Sequence, residues 1–208
     1  SLNPYDVVKK INKLINEDAI VAVDTGADLC WVFQAFERTK QTIFTAGGNS
    51  PMGYSFPAAI GSAILSPNKQ IICFTGDGGM QMNIQEFQTM VYHKLPIKIF
   101  ILNNFGYGII KQFQDVWLEG RYEATGKGYS TPDFKKVSEA YGVDYKRIES
   151  VDDLFLDDLN SSKSLVFEVI LNPNTLIEPK IDTGNPLHNQ FPYLELEKDC
   201  LELKYLNE

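Results

Sequence analysis

Two apolar segments, each followed by a short turn of special composition, predict two adjacent parallel strands in this chain. The first, residues 71–75, runs into Gly-Asp-Gly-Gly at 76–79, and the second, residues 97–102, runs into an Asn-Asn pair at 103–104. The stretch between them is long enough for the helical crossover that parallel strands require. Because the carboxyl ends of parallel strands meet at one edge of a sheet, we expect Asp77 and Asn104 to lie together there.

A carboxylate and an amide oxygen beside glycine backbone suit a magnesium ion and a diphosphate. Asp77 offers a hard oxygen ligand, and Gly78 and Gly79 let backbone N–H groups approach phosphate oxygens without a Cβ in the way. An ordinary turn at Asp77 and an ordinary loop at Asn104 remain alternatives for either motif alone. A dinucleotide site is disfavoured because position 81 is Gln, where the Gly-x-Gly-x-x-Gly fingerprint needs a third glycine.

Strand and helix patterns alternate along the chain, which predicts a doubly wound α/β fold. Short apolar or β-branched runs predict six strands, at 19–23, 43–46, 71–75, 97–102, 143–148 and 165–170. Helical periodicity and small-residue runs predict helices at 6–17, 27–36, 56–65, 81–93, 108–117, 133–141 and 151–159. We therefore expect a mainly parallel six-stranded sheet with helices on both faces.

The pattern changes near residue 172. Residues 1–172 carry the alternating elements and are enough for one α/β domain. Residues 173–208 show little periodicity, and proline recurs there at positions 173, 179, 186 and 192. We expect one ligand-binding domain followed by an extended, proline-containing tail.

Composition restricts the partners and the compartment. A net charge of −8 argues against nucleic acid as a partner, and the lack of an apolar run of membrane-spanning length argues against a membrane. The three cysteines, Cys30, Cys73 and Cys200, form no CxxC pattern. We therefore expect no disulfide framework and a cytoplasmic location.

The Gly-Asp-Gly and Asn-Asn motifs at this spacing resemble the cofactor-binding module of thiamine diphosphate (ThDP) enzymes. Segments at 51–54, 57–61, 81–86 and 94–98 resemble the acetolactate synthase branch of that family. The resemblance covers roughly residues 4–172 and identifies the chain as similar to the C-terminal, pyrophosphate-binding domain of an acetolactate synthase-like large subunit. It implies a lyase or transferase that decarboxylates or carboligates a small 2-oxo acid.

The resemblance also implies ligand contacts. Mg²⁺ would be bound by the Asp77 carboxylate, the Asn104 side-chain oxygen and the Gly106 backbone carbonyl. Met52 would lie beneath ThDP and hold it bent, with the Ser50 carbonyl near its 4′-amino group. The expected cofactor-binding residues are Gly26, Asn49, Ser50, Met52, Gly76, Asp77, Gly78, Gly79, Asn104, Gly106, Tyr107, Gly108 and Ile109.

Some positions depart from the family pattern. Ala27 and Asp28 stand where many relatives carry Gln and His in contact with the diphosphate. An acidic side chain beside the diphosphate is unfavourable unless it points away or binds through water. The family's diphosphate contact is therefore assigned to Gly26 with better support than to Ala27 or Asp28. Phe113 stands where acetohydroxyacid synthases commonly have a tryptophan that shapes the acceptor pocket, which leaves the acceptor open.

We expect no catalytic residue in this chain. In the family, the glutamate that activates ThDP belongs to a separate pyrimidine-binding domain, for which 208 residues leave no room. The resemblance implies that this chain needs that domain or subunit, within a homo-oligomer such as a dimer, and is inactive alone. Two alternatives stay open: the small subunit of a split ThDP-dependent decarboxylase of a substituted pyruvate, and a non-enzymatic binding or assembly module that has lost the cofactor.

Overall fold

A six-stranded sheet with every neighbouring pair parallel forms the centre of the computed structural model, which describes residues 2–181 and 190–191. Its strand order is β2-β1-β3-β4-β6-β5. The strands are β1 Ile20–Val23, β2 Thr42–Phe44, β3 Ile71–Gly76, β4 Ile97–Asn103, β5 Asp144–Ile148 and β6 Leu165–Ile170. The predicted α/β fold with a parallel six-stranded sheet is confirmed.

Helices fill the connections between the strands. They are α1 Pro4–Leu14, α2 Ala27–Ala35, α3 Ser55–Leu65, α4 Asp77–Met82, α5 Glu86–Tyr92, α6 Gly108–Trp117, α7 Phe134–Ala140 and α8 Leu156–Asn160, with a 3₁₀ turn at Val151–Asp153. The first helix shows why such segments begin where they do. The Asn3 side chain accepts a hydrogen bond from the Tyr5 N–H at 2.9 Å, and Pro4 occupies the first turn, where no N–H donor is needed.

The central strands are buried on both faces, as parallel strands between helical layers require. The register aligns Phe74, Phe100 and Phe167 on three neighbouring strands. Their rings stack with centroid distances of 5.3 and 4.6 Å. Since successive side chains of a strand point to opposite faces, Ile99 points away from this stack, into a core cluster that includes Phe56 of α3.

The predicted single helix over residues 81–93 is wrong. Helix α4 begins at Asp77, directly after β3, so the glycine motif forms the first turn of a helix. The chain then leaves the helical conformation at Asn83, where φ is −132°. The Asn83 amide donates a hydrogen bond to the Gly53 carbonyl at 2.6 Å, and a second helix begins at Glu86. A tertiary contact that no local pattern reveals therefore accompanies the break.

The chain divides into two compact units, residues 1–175 and residues 176–208. In the second unit, β7 Lys180–Ile181 and β8 Gln190–Phe191 pair antiparallel. The rest of the predicted tail, with its prolines at 186 and 192, lies outside the described residues. The predicted boundary at residue 172 stays a prediction.

Three predictions from the sequence concern membrane insertion, disulfide bonds and cellular location. Within residues 2–181 and 190–191, no helix combines the length and the apolar character needed to cross a bilayer. Cys30 and Cys73 are free thiols, and Cys200 lies outside the described residues. The cytoplasmic location stays a prediction.

We predict that Phe100→Ala lowers the free energy of unfolding by about 3–5 kcal/mol, because it leaves a cavity between two stacked rings. Urea denaturation followed by circular dichroism measures this change. The control is Leu65→Ala, at a side chain that is 85% exposed, which should change the free energy by less than about 0.5 kcal/mol. Similar small effects for both variants would contradict a stabilising role for the aromatic stack.

Candidate functional site

The carboxyl ends of β1, β3 and β4 surround a cavity of about 190 Å³. β1 pairs with β2 on one side and with β3 on the other, so the chain order reverses at this point of the sheet. In open α/β sheets, ligands bind beyond the strand ends at such a switch point. The topology therefore places the candidate site where the fold has room for a ligand.

The cavity gathers most of the residues that the sequence predicted for cofactor binding. Asn49 and Ser50 do not line it; both are exposed in the loop between β2 and α3, and it is Met52 of that loop that reaches the cavity. Their assignment stays a prediction. The predicted residues that line the cavity are Gly26, Met52, Gly76, Asp77, Gly78, Gly79, Asn104, Gly106, Tyr107, Gly108 and Ile109.

Asp77 is a buried carboxylate with one specific hydrogen-bond donor from a distant loop. The Tyr129 hydroxyl donates to Asp77 Oδ2 at 2.8 Å, and Gln81 Nε2 donates to the same hydroxyl at 3.1 Å. Burial raises the pKa of Asp77 to about 6, although the hydrogen bond from Tyr129 acts in the opposite direction. The carboxylate form therefore predominates at neutral pH. Sequence analysis missed Tyr129 because it lies far from Asp77 along the chain.

Three oxygen atoms converge beside Asp77. The Asn104 side-chain oxygen lies 3.0 Å from the Gly106 carbonyl oxygen and 3.2 Å from Asp77 Oδ1. All three atoms are acceptors, so this arrangement is unfavourable as it stands. Either the amide turns and its NH₂ group donates to both oxygens, or a cation lies among the three. No group of three His, Cys, Asp or Glu side chains suited to a metal occurs in the described chain, so such a cation would depend on amide and carbonyl oxygens.

Asp24 is a second buried carboxylate at this edge, and the sequence analysis did not identify it. Its Oδ1 accepts a hydrogen bond from the Gly53 N–H at 2.8 Å. Its Oδ2 accepts from the hydroxyls of Ser55 at 2.9 Å and Thr75 at 3.1 Å. Asp24 thereby joins the end of β1 to the end of β3 and to the loop that carries Met52.

Another network fixes the turn after β4. Asn103 Nδ2 donates to Glu168 Oε1 at 2.6 Å, and Tyr145 donates to the other oxygen of that carboxylate. Asn103 Oδ1 accepts from the N–H of Phe105, whose φ is +58°. A non-glycine residue in this region needs such support. Asn103 therefore positions the turn, while Asn104 points its amide into the oxygen cluster.

Asp28 stands at a position where the sequence analysis judged an acidic side chain unfavourable beside a diphosphate. It lies at the start of α2, lines the cavity and is 3% exposed. Burial raises the pKa of Asp28 well above its usual range, and the nearby Asp24 and Asp77 carboxylates raise it further. The carboxyl therefore does not point away from the site. Trp31 of the same helix also lines the cavity and was not predicted.

Comparison with known proteins agrees with this geometry. The family model "Thiamine pyrophosphate enzyme, C-terminal TPP binding domain" matches residues 24–161. The acetolactate synthase large subunit of Cyanidium caldarium is 35% identical over 176 residues, which are 85% of this chain and 28% of that protein. The acetolactate synthase large subunit of Lactococcus lactis is 31% identical over 188 residues, which are 88% of this chain and 32% of that protein. The chain thus spans a third or less of the length of these relatives.

A solved structure supports the fold independently. The ThDP-dependent 4-hydroxybenzoylformate decarboxylase of Rhodococcus jostii superposes with a TM-score of 0.74 at 23% identity. The match covers 82% of this chain and 33% of the decarboxylase. At this level of identity the likeness shows the fold, which is the same arrangement of parallel strands and helices.

We predict that Gly106→Ala lowers the free energy of unfolding by about 1–3 kcal/mol, the usual effect of overpacking. A Cβ at this position would lie 2.3 Å from the Thr125 carbonyl oxygen, so the backbone must shift. Gly61→Ala is the matched control, because a Cβ there has open space inside helix α3. It should raise the free energy of unfolding by about 0.5–1 kcal/mol. Thermal unfolding of both variants tests this difference in sign, and equal responses would argue against tight packing at Gly106.

Proposed function

This chain belongs to the thiamine pyrophosphate enzyme family, and we propose that it binds the cofactor's diphosphate through a magnesium ion held by Asp77, Asn104 and Gly106. The observation that carries the proposal is the convergence of three oxygen atoms at the edge of the strand-end cavity. A hard divalent cation is the ligand that oxygen atoms of this kind prefer.

The spacing of the oxygens is compatible with a cation as well as with a turned amide. Mg²⁺ binds oxygen at about 2.0–2.1 Å in octahedral geometry, so adjacent ligands lie about 3 Å apart. The Asn104 oxygen lies 3.0 and 3.2 Å from its two neighbours, which fits two edges of such an octahedron. Three protein oxygens leave positions for diphosphate oxygens and water, as is usual for this metal.

The cavity walls support a ligand that approaches the backbone closely. A Cβ on Gly78 would lie 2.4 Å from the Tyr107 ring and 3.1 Å from the Met52 methyl group. Glycine at this position therefore keeps the space between these two side chains and the helix start open. ThDP, when bound, supplies carbanion chemistry that no protein side chain provides. The residues of this chain would bind it, orient it and exclude water.

The rest of the enzyme is also a proposal. Because the relatives are about three times longer, we propose that a pyrimidine-binding domain or subunit supplies the activating glutamate, and that the assembled enzyme acts on a 2-oxo acid. The apolar side chains of Ile109, Ile110, Phe113 and Trp117 are exposed on α6, which begins at the cavity. An exposed apolar surface of this kind supports coverage by a further domain, in a homo-oligomer such as a dimer.

We predict that Asp77→Ala weakens Mg²⁺-dependent ThDP binding at least tenfold (about 1.4 kcal/mol), because the one charged side chain among the three proposed protein ligands is removed. Calorimetry on the chain assembled with its pyrimidine-binding domain measures the affinity, with and without a chelator. Asp18→Ala is the matched control, since this carboxylate is exposed in a turn before β1. Its affinity should equal that of the parent.

Two outcomes would reject different parts of the proposal. Unchanged affinity in Asp77→Ala would reject the metal assignment while leaving cofactor binding intact. If the parent itself shows no Mg²⁺-dependent binding in the assembled state, the non-enzymatic alternative is favoured.

A further inference from the structure

The corner between β1 and α2 presents two buried polar atoms that have no hydrogen-bond partner. They are Thr25 Oγ1 and Asp28 Oδ2, which make no hydrogen bond in the described part of the chain. Both residues line the strand-end cavity. Since nearly all buried polar atoms in proteins are hydrogen-bonded, two such atoms on one cavity wall indicate that a ligand completes them.

The Asp28 carboxyl group lies against the glycine wall of the cavity. A Cβ built on Gly26 would lie 2.6 Å from Asp28 Oδ1, and a Cβ built on Gly76 would lie 3.4 Å from it. The carboxyl is therefore adjacent to the ends of both β1 and β3. The backbone N–H groups of Asp28 and Leu29 also face this carboxyl. Oδ2 makes no hydrogen bond in the described part of the chain, so it is the carboxyl oxygen available to a ligand.

The charges around Asp28 oppose a further anion. The Asp24 carboxylate at the end of β1 and the Asp77 carboxylate at the start of α4 both interact electrostatically with Asp28, and Cys30 follows two residues later in α2. An ionised Asp28 would be a third negative charge in a buried cluster, and a diphosphate would add negative charge that the proposed Mg²⁺ offsets only in part. Burial, the larger effect, and these neighbours raise the pKa of Asp28, so the neutral acid is the form compatible with an anionic ligand.

We propose that Asp28 is a ligand-binding residue in its neutral form, with Oδ2–H donating a hydrogen bond to a diphosphate oxygen and the Thr25 hydroxyl donating a second. The proposal rests on the proposed function and deepens it. No proton is transferred: the acid keeps its proton, and Oδ2 gains a hydrogen-bond partner. A carboxyl group that would repel phosphate when ionised thereby becomes a donor to it.

The test compares ThDP binding in the presence of Mg²⁺ for the parent, Asp28→Asn and Asp28→Leu, each in the assembled enzyme and over a range of pH. The Asn amide has the same shape and donates without titrating, so Asp28→Asn should bind at least as tightly as the parent. The ratio of its affinity to the parental affinity should rise with pH, by up to about tenfold per unit, over the range in which Asp28 is ionised in the free protein and neutral in the complex. Asp28→Leu should bind about tenfold or more weakly than Asp28→Asn, because the donor is lost.

Taking the ratio removes the titration of the cofactor, which is common to both proteins. Asp18→Asn serves as the control for a change of net charge, and its ratio to the parent should stay constant with pH. Circular dichroism on each variant establishes that the fold is retained. Asp28→Asn is expected to unfold at no lower temperature than the parent, since it removes a buried acid without changing the side-chain shape.

The outcomes separate this inference from the proposed function. If the parent binds ThDP with Mg²⁺ but Asp28→Asn binds more weakly with a constant ratio across pH, Asp28 is not a neutral donor. Equal affinities for Asp28→Leu and Asp28→Asn would show that the side chain makes no contact with the diphosphate. If the parent shows no Mg²⁺-dependent binding, the proposed function fails, and this inference fails with it.

Discussion

Parallel pairing of β3 with β1 and β4 is the constraint on which the site depends. The registers Val23↔Phe74 and Gly76↔Leu102 bring the three strands to an end at one edge, so the residues that follow them share one small volume. Each of these strands is nearly or completely buried. Their positions are therefore fixed by the hydrophobic core and by the ladder of backbone hydrogen bonds. The polar residues that directly follow the strands are held in place by the same contacts.

The edge concentrates buried carboxyl groups in a way that stability alone would not favour. Asp24, Asp28 and Asp77 are all buried there. They differ in how many hydrogen-bond donors reach their oxygens. Asp24 accepts hydrogen bonds from backbone N–H groups and hydroxyls on three segments, so both of its oxygens have partners. Asp77 has a tyrosine donor on one oxygen and other acceptors beside the second, and Asp28 has an oxygen with no partner. This gradient distinguishes Asp24 from the two carboxyl groups that we propose to bind the ligand, because functional sites are where such rules of polar satisfaction are most often broken.

Much of this architecture could be predicted from local sequence patterns. Asp77 and Asn104 could be placed together because each follows an apolar strand, and that argument needs only the parallel arrangement. The break between α4 and α5 could not be predicted, since the contact of Asn83 with Gly53 joins two elements that have no shared local signal. The same reason applies to Asp24, Tyr129 and Glu168, whose partners lie in other elements. An Asp directly after a strand, as at position 24, is the signal that could have drawn attention to the first of these.

The hydrogen bond from Tyr129 to Asp77 has a thermodynamic consequence of its own. The tyrosine belongs to the segment between α6 and α7, and its ring also meets the Tyr107 ring edge-on at a centroid distance of 4.6 Å. One carboxylate thus serves both a distant segment of the chain and the oxygen cluster. For a cation bound at these oxygens as we propose, linkage requires that cation binding and docking of this segment change each other by the same free energy. The proposed cation site would therefore be coupled to a segment that lies outside the strand-end motifs.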